Sequence, residues 1–192
     1  MNTVPEGKII RCWMPFPREG NARQKNVRLI SSEPEDAEIA SNANLQRSVY
    51  MEKKAVKDQP TIFRIEFEVE TSAQYFELKP EEIKPYNTES EVYKEFTAQR
   101  TPQIVFTPKI KLLAKRILGG ETNPLLKVQK IYNWINDSVR WASALEYSTI
   151  PDIPGYVIEK HHGDCGMQTL LLMTLARSQG IPVKWQSGWM LH

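Results

Sequence analysis

Cys165 stands in the run His161-His162-Gly163-Asp164-Cys165-Gly166-Met167-Gln168, directly ahead of an apolar segment that reads as a helix. A cysteine at a helix start faces free N–H groups and a partial positive charge. Both favour a thiolate over a thiol. The same N–H groups can hold the oxyanion that forms when sulfur attacks a carbonyl. The residue types therefore point to thiol-dependent acyl transfer with Cys165 as the nucleophile.

The side chains around it supply further candidates. His161 and His162 lie three to four residues ahead of the cysteine. Either would serve as a base only if a short loop folded back sharply; the other reading lines a cleft or packs them against Trp141 or Tyr147. His161, His162 and Cys165 offer three zinc ligands, but a fourth ligand and a second cluster are missing, so the expectation is no metal and no cofactor. Trp141 and Tyr147 lie in an irregular stretch upstream. Core packing or a cleft wall is the plain reading of both. Gln168 is one turn along the helix, behind the thiol, and Glu146 reads as a surface residue. Cys12 alternates with Ile10 and Met14 on a predicted strand, which reads as a buried, inert thiol. No Cys-x-x-Cys occurs, so a thioredoxin-type role is not expected.

The elements that must position these groups are delimited by local signals. Asp164 is placed to cap the cysteine helix. Leu170, Leu171, Leu172, Met173, Leu175 and Ala176 form a wide apolar face. Gly180 then suits a left-handed cap and Pro182 cannot continue the helix. Cys165 shares a face with Thr169, Leu172 and Ala176, which puts the thiol at the edge of a core. Val183 to Met190 alternates as a strand. Upstream, Thr88 with Glu91 makes a possible capping box ahead of Val92, Tyr93 and Phe96. Thr107-Pro108 and Asn123-Pro124 open two helices. Gly119-Gly120 closes the first, and Leu125, Val128, Ile131, Tyr132 and Ile135 make a core-facing stripe on the second. Pro151 to Glu159 is a shorter helix leading into the cysteine loop.

Gly163-Asp164-Cys165, the apolar helix, Gly180-Ile181-Pro182-Val183 and a strand with Gly188 together resemble the core of the transglutaminase-like superfamily. The likeness extends through Ile131-Tyr132-Asn133-Trp134-Ile135 and Val139-Arg140-Trp141, and covers roughly residues 105–192. It implies a papain-like α+β fold, a Cys-His-Asp triad and Cys165 as nucleophile, in a group that holds crosslinking transglutaminases, peptidases, amidases and members that have lost activity. It also implies an upstream donor to the oxyanion, for which Trp141 N–H is the candidate, with Tyr147 O–H as the alternative. In the family the histidine begins the next strand and an acidic residue follows. His192 comes 27 residues after Cys165, at the end of the first core strand. His192 is this chain's candidate base; read otherwise it is a loop histidine, the base and its acid lie further on, and the chain is an inactive piece of a longer enzyme. That second reading predicts exposed apolar surface from Leu170 to Trp189 and a tendency to aggregate.

Residues 1–80 carry strand signals. Lys8 to Met14 alternates, and Asn26 to Ser31 and Val49 to Met51 are short apolar runs. Ile62 to Glu70 sets Phe63, Ile65, Phe67 and Val69 against Arg64, Glu66, Glu68 and Glu70, the pattern of a half-buried antiparallel strand. Ala73 to Leu78 is expected to pair with a neighbour, and Ser31 to Asn44 to form a long loop. Residues 79–87, with two prolines, read as a linker. The fold class is therefore α+β: an N-terminal β-sandwich over residues 1–80, then a helical, truncated papain-like, transglutaminase-like core over 81–192. A β-domain ahead of the core is a bacterial arrangement in this superfamily.

The 192 residues are 41% hydrophobic with a net charge of +2, and their basic residues are scattered, so no nucleic-acid partner is expected. Lys109, Lys111, Lys115 and Arg116 share one predicted helix, more simply a solvated face than a phosphate site. No run of 18 apolar residues occurs, so no membrane span is expected. Met1 to Lys8 is polar and shows no signal peptide; an extracytoplasmic location with that signal removed is the expectation. The implied partner is a peptide or protein amide, with a glycan or cell-wall peptide as the further option. The competing function is a non-catalytic peptide- or glycan-binding module in which Cys165 is a relic. Arylamine acyl transfer through the same triad is a third option.

Overall fold

A computed structural model describes residues 4–44, 46–143 and 145–186. The chain is a mixed α/β structure that divides into two compact units, Met1–Glu77 and Leu78–His192.

The first unit is all strand. β1 (Ile9–Pro15) pairs antiparallel with β4 (Ser48–Lys54), Cys12 opposite Met51 and Met14 opposite Val49. The short β3 (Glu38–Ile39) adds to the other edge of β4. β2 (Gln24–Glu33) pairs antiparallel with β5 (Arg64–Thr71) as a separate two-stranded sheet. Phe16, Val49 and Met51 are buried, and Met14, Val27, Leu29, Phe63, Ile65 and Phe67 pack on them. Alternation sorts the residues as the strand period requires: on β5 Ile65, Phe67 and Val69 turn inward, while Arg28 and Glu68 pair across the exposed face at 2.7 Å.

Three expectations change here. Ala73 to Leu78 is irregular and unpaired as strand, with Tyr75, Phe76 and Leu78 largely exposed. Among the described residues it joins neither sheet of the first unit. The expected loop from Ser31 to Asn44 instead contains the end of β2 and the two residues of β3. Cys12 is half-buried rather than buried.

The second unit is mainly helical: α1 (Glu91–Thr97), α2 (Pro108–Leu118), α3 (Pro124–Ser138), α4 (Ile153–Lys160) and α5 (Cys165–Arg177). Local chemistry sets the ends. Thr107 and Asn123 cap α2 and α3 by accepting first-turn N–H groups, and each is followed by proline. Gly119, at φ +61°, ends α2. The cap of α1 is Ser90, which accepts from Tyr93 N–H, and not Thr88. α5 is the central element. Leu171, Met173, Leu175 and Ala176 are buried, and Ile110 and Leu113 of α2, Ile131 and Ile135 of α3, and Ile153 and Val157 of α4 join Leu171, Leu175 and Ala176 in one cluster. Of the stretch Leu170 to Trp189 expected to be exposed, Leu171, Met173, Leu175 and Ala176 are buried and Leu170 and Leu172 partly so, Trp185 is exposed, and residues 187–189 lie outside the described residues. Tyr132 corrects the α3 stripe, being 59% exposed; it lies on the flank of the Ile131–Ile135 line and points out.

After α5 the chain turns at Gly180, φ +74°, and Ile181 N–H returns to Ala176 carbonyl. Arg177, buried, donates to the carbonyls of Ala98 and Val183. Residues 181–186 are not a regular strand. The rest of the expected Val183 to Met190 strand, Gly188 included, lies outside the described residues. Among the described residues no helix is long and apolar enough to cross a membrane.

Candidate active site

The segment that enters α5 is held by a two-residue parallel pair. β6 (Arg140–Trp141) lies beside β7 (His162–Gly163), Arg140 opposite His162 and Trp141 opposite Gly163. Arg140 N–H donates to His161 carbonyl and Ala142 N–H to Gly163 carbonyl. Glycine is required at 163, because a Cβ would stand 2.9 Å from Met167 Cβ and 3.2 Å from Val157 Cγ2. The backbone of the loop can thus lie flat on α4 and α5.

Asp164 caps α5. Its Oδ1 accepts Met167 N–H at 2.8 Å, and its carbonyl accepts Gln168 N–H. Gln168 Nε2 reaches back to Gly163 carbonyl at 2.9 Å. Cys165 is the first residue of the helix and is exposed. Among the described residues the N–H groups of Cys165 and Gly166 have no acceptor, as expected of a first helical turn. Two unpaired donors therefore flank an accessible thiol, an arrangement able to receive a negative oxygen.

Tyr147 covers one side of this turn. Its hydroxyl donates to Asp164 Oδ1, the oxygen that also holds Met167 N–H. Burial, then the hydrogen bond to Asp164 and its charge, then the charge of Cys165, push the Tyr147 hydroxyl up from 10.0 to about 12. It remains a neutral donor at all ordinary pH. Gly166 makes the approach possible: a Cβ there would fall inside van der Waals contact with the Tyr147 hydroxyl. Glu146 caps the short turn Tyr147–Thr149 by accepting Ser148 N–H. Gln103 fastens the chain beyond this turn, accepting from Ile153 N–H and donating to Ile150 carbonyl.

The remaining candidates are placed elsewhere. His161 ends α4 in the left-handed region, with Nδ1 on Ser138 carbonyl at 3.2 Å. His162 stacks edge-on against Tyr156, with Nε2 at 3.1 Å from its hydroxyl and Nδ1 on Lys160 carbonyl. Neither packs on Trp141 or Tyr147 as expected, because the αL turn at His161 directs both rings toward α3 and α4. Among the described residues no group of three or more His, Cys, Asp or Glu side chains is arranged to hold a metal. Trp141 is tied to the cysteine loop through its backbone, and its side chain is 69% exposed. His192 lies outside the described residues. The sequence reading missed the joint use of Asp164 Oδ1 by Tyr147 and Met167, and the need for glycine at 166. The signal available was the pair of glycines bracketing Asp164-Cys165.

Residues 111–192 match the family model of the transglutaminase-like superfamily. The whole fold is similar to the crystal structure of a candidate cysteine protease from Cytophaga hutchinsonii, with a TM-score of 0.67 and 20% identity over 92% of this chain. The chain spans 61% of that protein's length, and at this identity the likeness is one of fold. No curated protein matches the chain. Residues 111–192, which carry α5 and the Gly163-Asp164-Cys165 turn, are thus similar to the transglutaminase-like superfamily.

Proposed function

We propose that the protein is a thiol enzyme of the hydrolase and acyltransferase type, acting on peptide or protein amide bonds with Cys165 as nucleophile. The observation that carries this reading is the exposed Cys165 at the start of α5 beside two unpaired N–H groups. The sulfur attacks the amide carbonyl, a C–S bond forms, and the oxyanion meets the first-turn N–H groups. Trp141, on the strand paired to the cysteine loop, is the candidate side-chain donor. The C–N bond then breaks, the amine leaves with a proton from the base, and water or a second amine resolves the thioester. His192 is the base candidate; His161 and His162 are committed to Ser138, Tyr156 and Lys160. Peptidase-like hydrolysis is the preferred outcome of this path. We read the first unit as a small β-sandwich ahead of this core, on the strength of the apolar cluster shared by its two sheets.

One observation favours a second reading, a non-catalytic peptide- or glycan-binding module. Trp13, 61% exposed, and Tyr50 form a tilted ring pair with centroids 5.0 Å apart on β1 and β4, and exposed aromatic pairs suit such ligands.

The test is acylation by p-nitrophenyl acetate, read by release of nitrophenolate and by peptide mass spectrometry. The enzyme reading expects a thioester on Cys165, with Cys12 as the internal control, and loss of the fast release in Cys165→Ala. Equal, slow labelling of both cysteines would sink it. Peptide or glycan binding that survives Cys165→Ala unchanged would then support the module.

A further inference from the structure

The first turn of α5 offers the Asp164 carboxylate more than one partner. An N-cap side chain can accept from the second or the third helical N–H; here these belong to Gly166 and Met167. The observed choice is Met167, at 2.8 Å. The same Oδ1 takes the Tyr147 hydroxyl, and that hydroxyl lies against Gly166 Cα. Tyr147 is itself fixed from behind, since its turn is capped by Glu146 and the next residues are held by Gln103. The carboxylate is thus held between two donors on its Met167 side.

Resting on the thiol-enzyme reading above, we infer that Tyr147 is a positioning residue: its hydroxyl tethers the Asp164 carboxylate to Met167 and so keeps the Gly166 N–H free for the oxyanion formed at Cys165. Without the tether the carboxylate can rotate onto Gly166 N–H, since ion–dipole attraction at a helix start favours an anion there. A bound carboxylate then occupies one donor and places negative charge where negative charge must develop. Removal of one oxyanion donor in hydrolases of known mechanism costs on the order of a hundredfold or more in rate. A carboxylate that competes for part of the time costs less. Gly166 has a double role in this scheme, as the donor and as the gap that admits the tyrosine.

The experiment uses the full chain with Tyr147→Phe, Asp164→Ala and the double variant. Two reagents separate the steps: p-nitrophenyl acetate acylates through a tetrahedral oxyanion, whereas iodoacetamide alkylates sulfur without one. Tyr147→Phe is expected to slow Cys165 acylation about tenfold and to leave alkylation within about twofold. In the Asp164→Ala background the same substitution is expected to have no further effect on acylation. Amide exchange by NMR supplies a readout independent of any reaction: Gly166 N–H is expected to exchange more slowly in Tyr147→Phe than in the parent. Unchanged acylation in Tyr147→Phe overturns the inference. So does an equal loss in both reactions, and so does a full effect that persists without Asp164, which would make Tyr147 a direct donor. A parent protein that does not acylate at Cys165 defeats the thiol-enzyme reading, whereas a slowed Gly166 amide in Tyr147→Phe would still establish the tether; failure of the two claims is therefore distinguishable.

Discussion

Tyr147 is the residue whose chemistry extends furthest. Its half-buried hydroxyl lies beside a carboxylate and a cysteine, which with partial burial push it up from 10.0 to about 12. The raised value fixes the sign of its contribution to stability. The hydrogen bond to Asp164 is fully present below about pH 10 and is lost as pH rises through about 12. Thermal melts from about pH 9 upward should show the parent more stable than Tyr147→Phe at the low end, by about 1–3 kcal/mol. The two curves should converge above about pH 12. A constant gap across the range would mean that the hydroxyl does not titrate against this hydrogen bond. Gly166 gives a second residue-level expectation. Gly166→Ala should destabilise the fold by about 1–3 kcal/mol, because the new methyl meets the Tyr147 hydroxyl. Tyr147→Phe in the same chain should recover part of that loss. Denaturant midpoints of the four proteins make the comparison, and strict additivity would count against contact between the two positions.

At the scale of elements, α5 does two jobs with opposite ends. Its start is exposed at Cys165, while Leu171, Leu175 and Ala176 are fully buried among α2, α3 and α4. Burial of the middle anchors the end that carries Cys165. Leu171→Ala should therefore cost about 2–5 kcal/mol, measured by denaturant unfolding. A cost below about 1 kcal/mol would mean that the helix is not packed as described. The caps were legible because they are local: Thr107-Pro108, Asn123-Pro124 and Asp164 each act within one turn. Ser90 took the place of Thr88 because the helix begins later than the capping-box spacing implied, with its first turn anchored by Ser90 on Tyr93. Tyr132 shows a further limit of periodicity. It stands beside Ile131 in the stripe, yet the neighbouring helices reach only one flank of α3.

At the scale of the molecule, the boundary between the two units comes just after a segment with exposed aromatics. Tyr75 is 87% exposed and Phe76 63% exposed in irregular backbone. Such segments are preferred sites of proteolytic nicking. Brief digestion with chymotrypsin should cut first at Tyr75 or Phe76 and leave two products, one on each side of the boundary. Early cuts within β5 or α3 would contradict the division. The strands and helices on either side are more protected, since even their exposed side chains, such as Trp13 and Tyr132, sit on backbone held in ladders and helical turns.

The sequence by itself determined the mix of strands and helices, the alternation of β5, the ends of α2, α3 and α5, and the position of Cys165 at a helix start. These depend on rules that operate over two to four residues: strand and helix periods, caps and proline. Tertiary structure alone decided that Ala73 to Leu78 has no strand partner, that β6 and β7 meet, that His161 and His162 turn away toward Ser138 and Tyr156, and that Tyr147 comes to rest on Asp164 and Gly166. Each of these joins residues far apart in the chain or selects one of several available partners. The physical reason is that hydrogen bonding and apolar packing between distant segments are chosen by how the elements of each unit close on one another, and a local pattern carries no record of that closure.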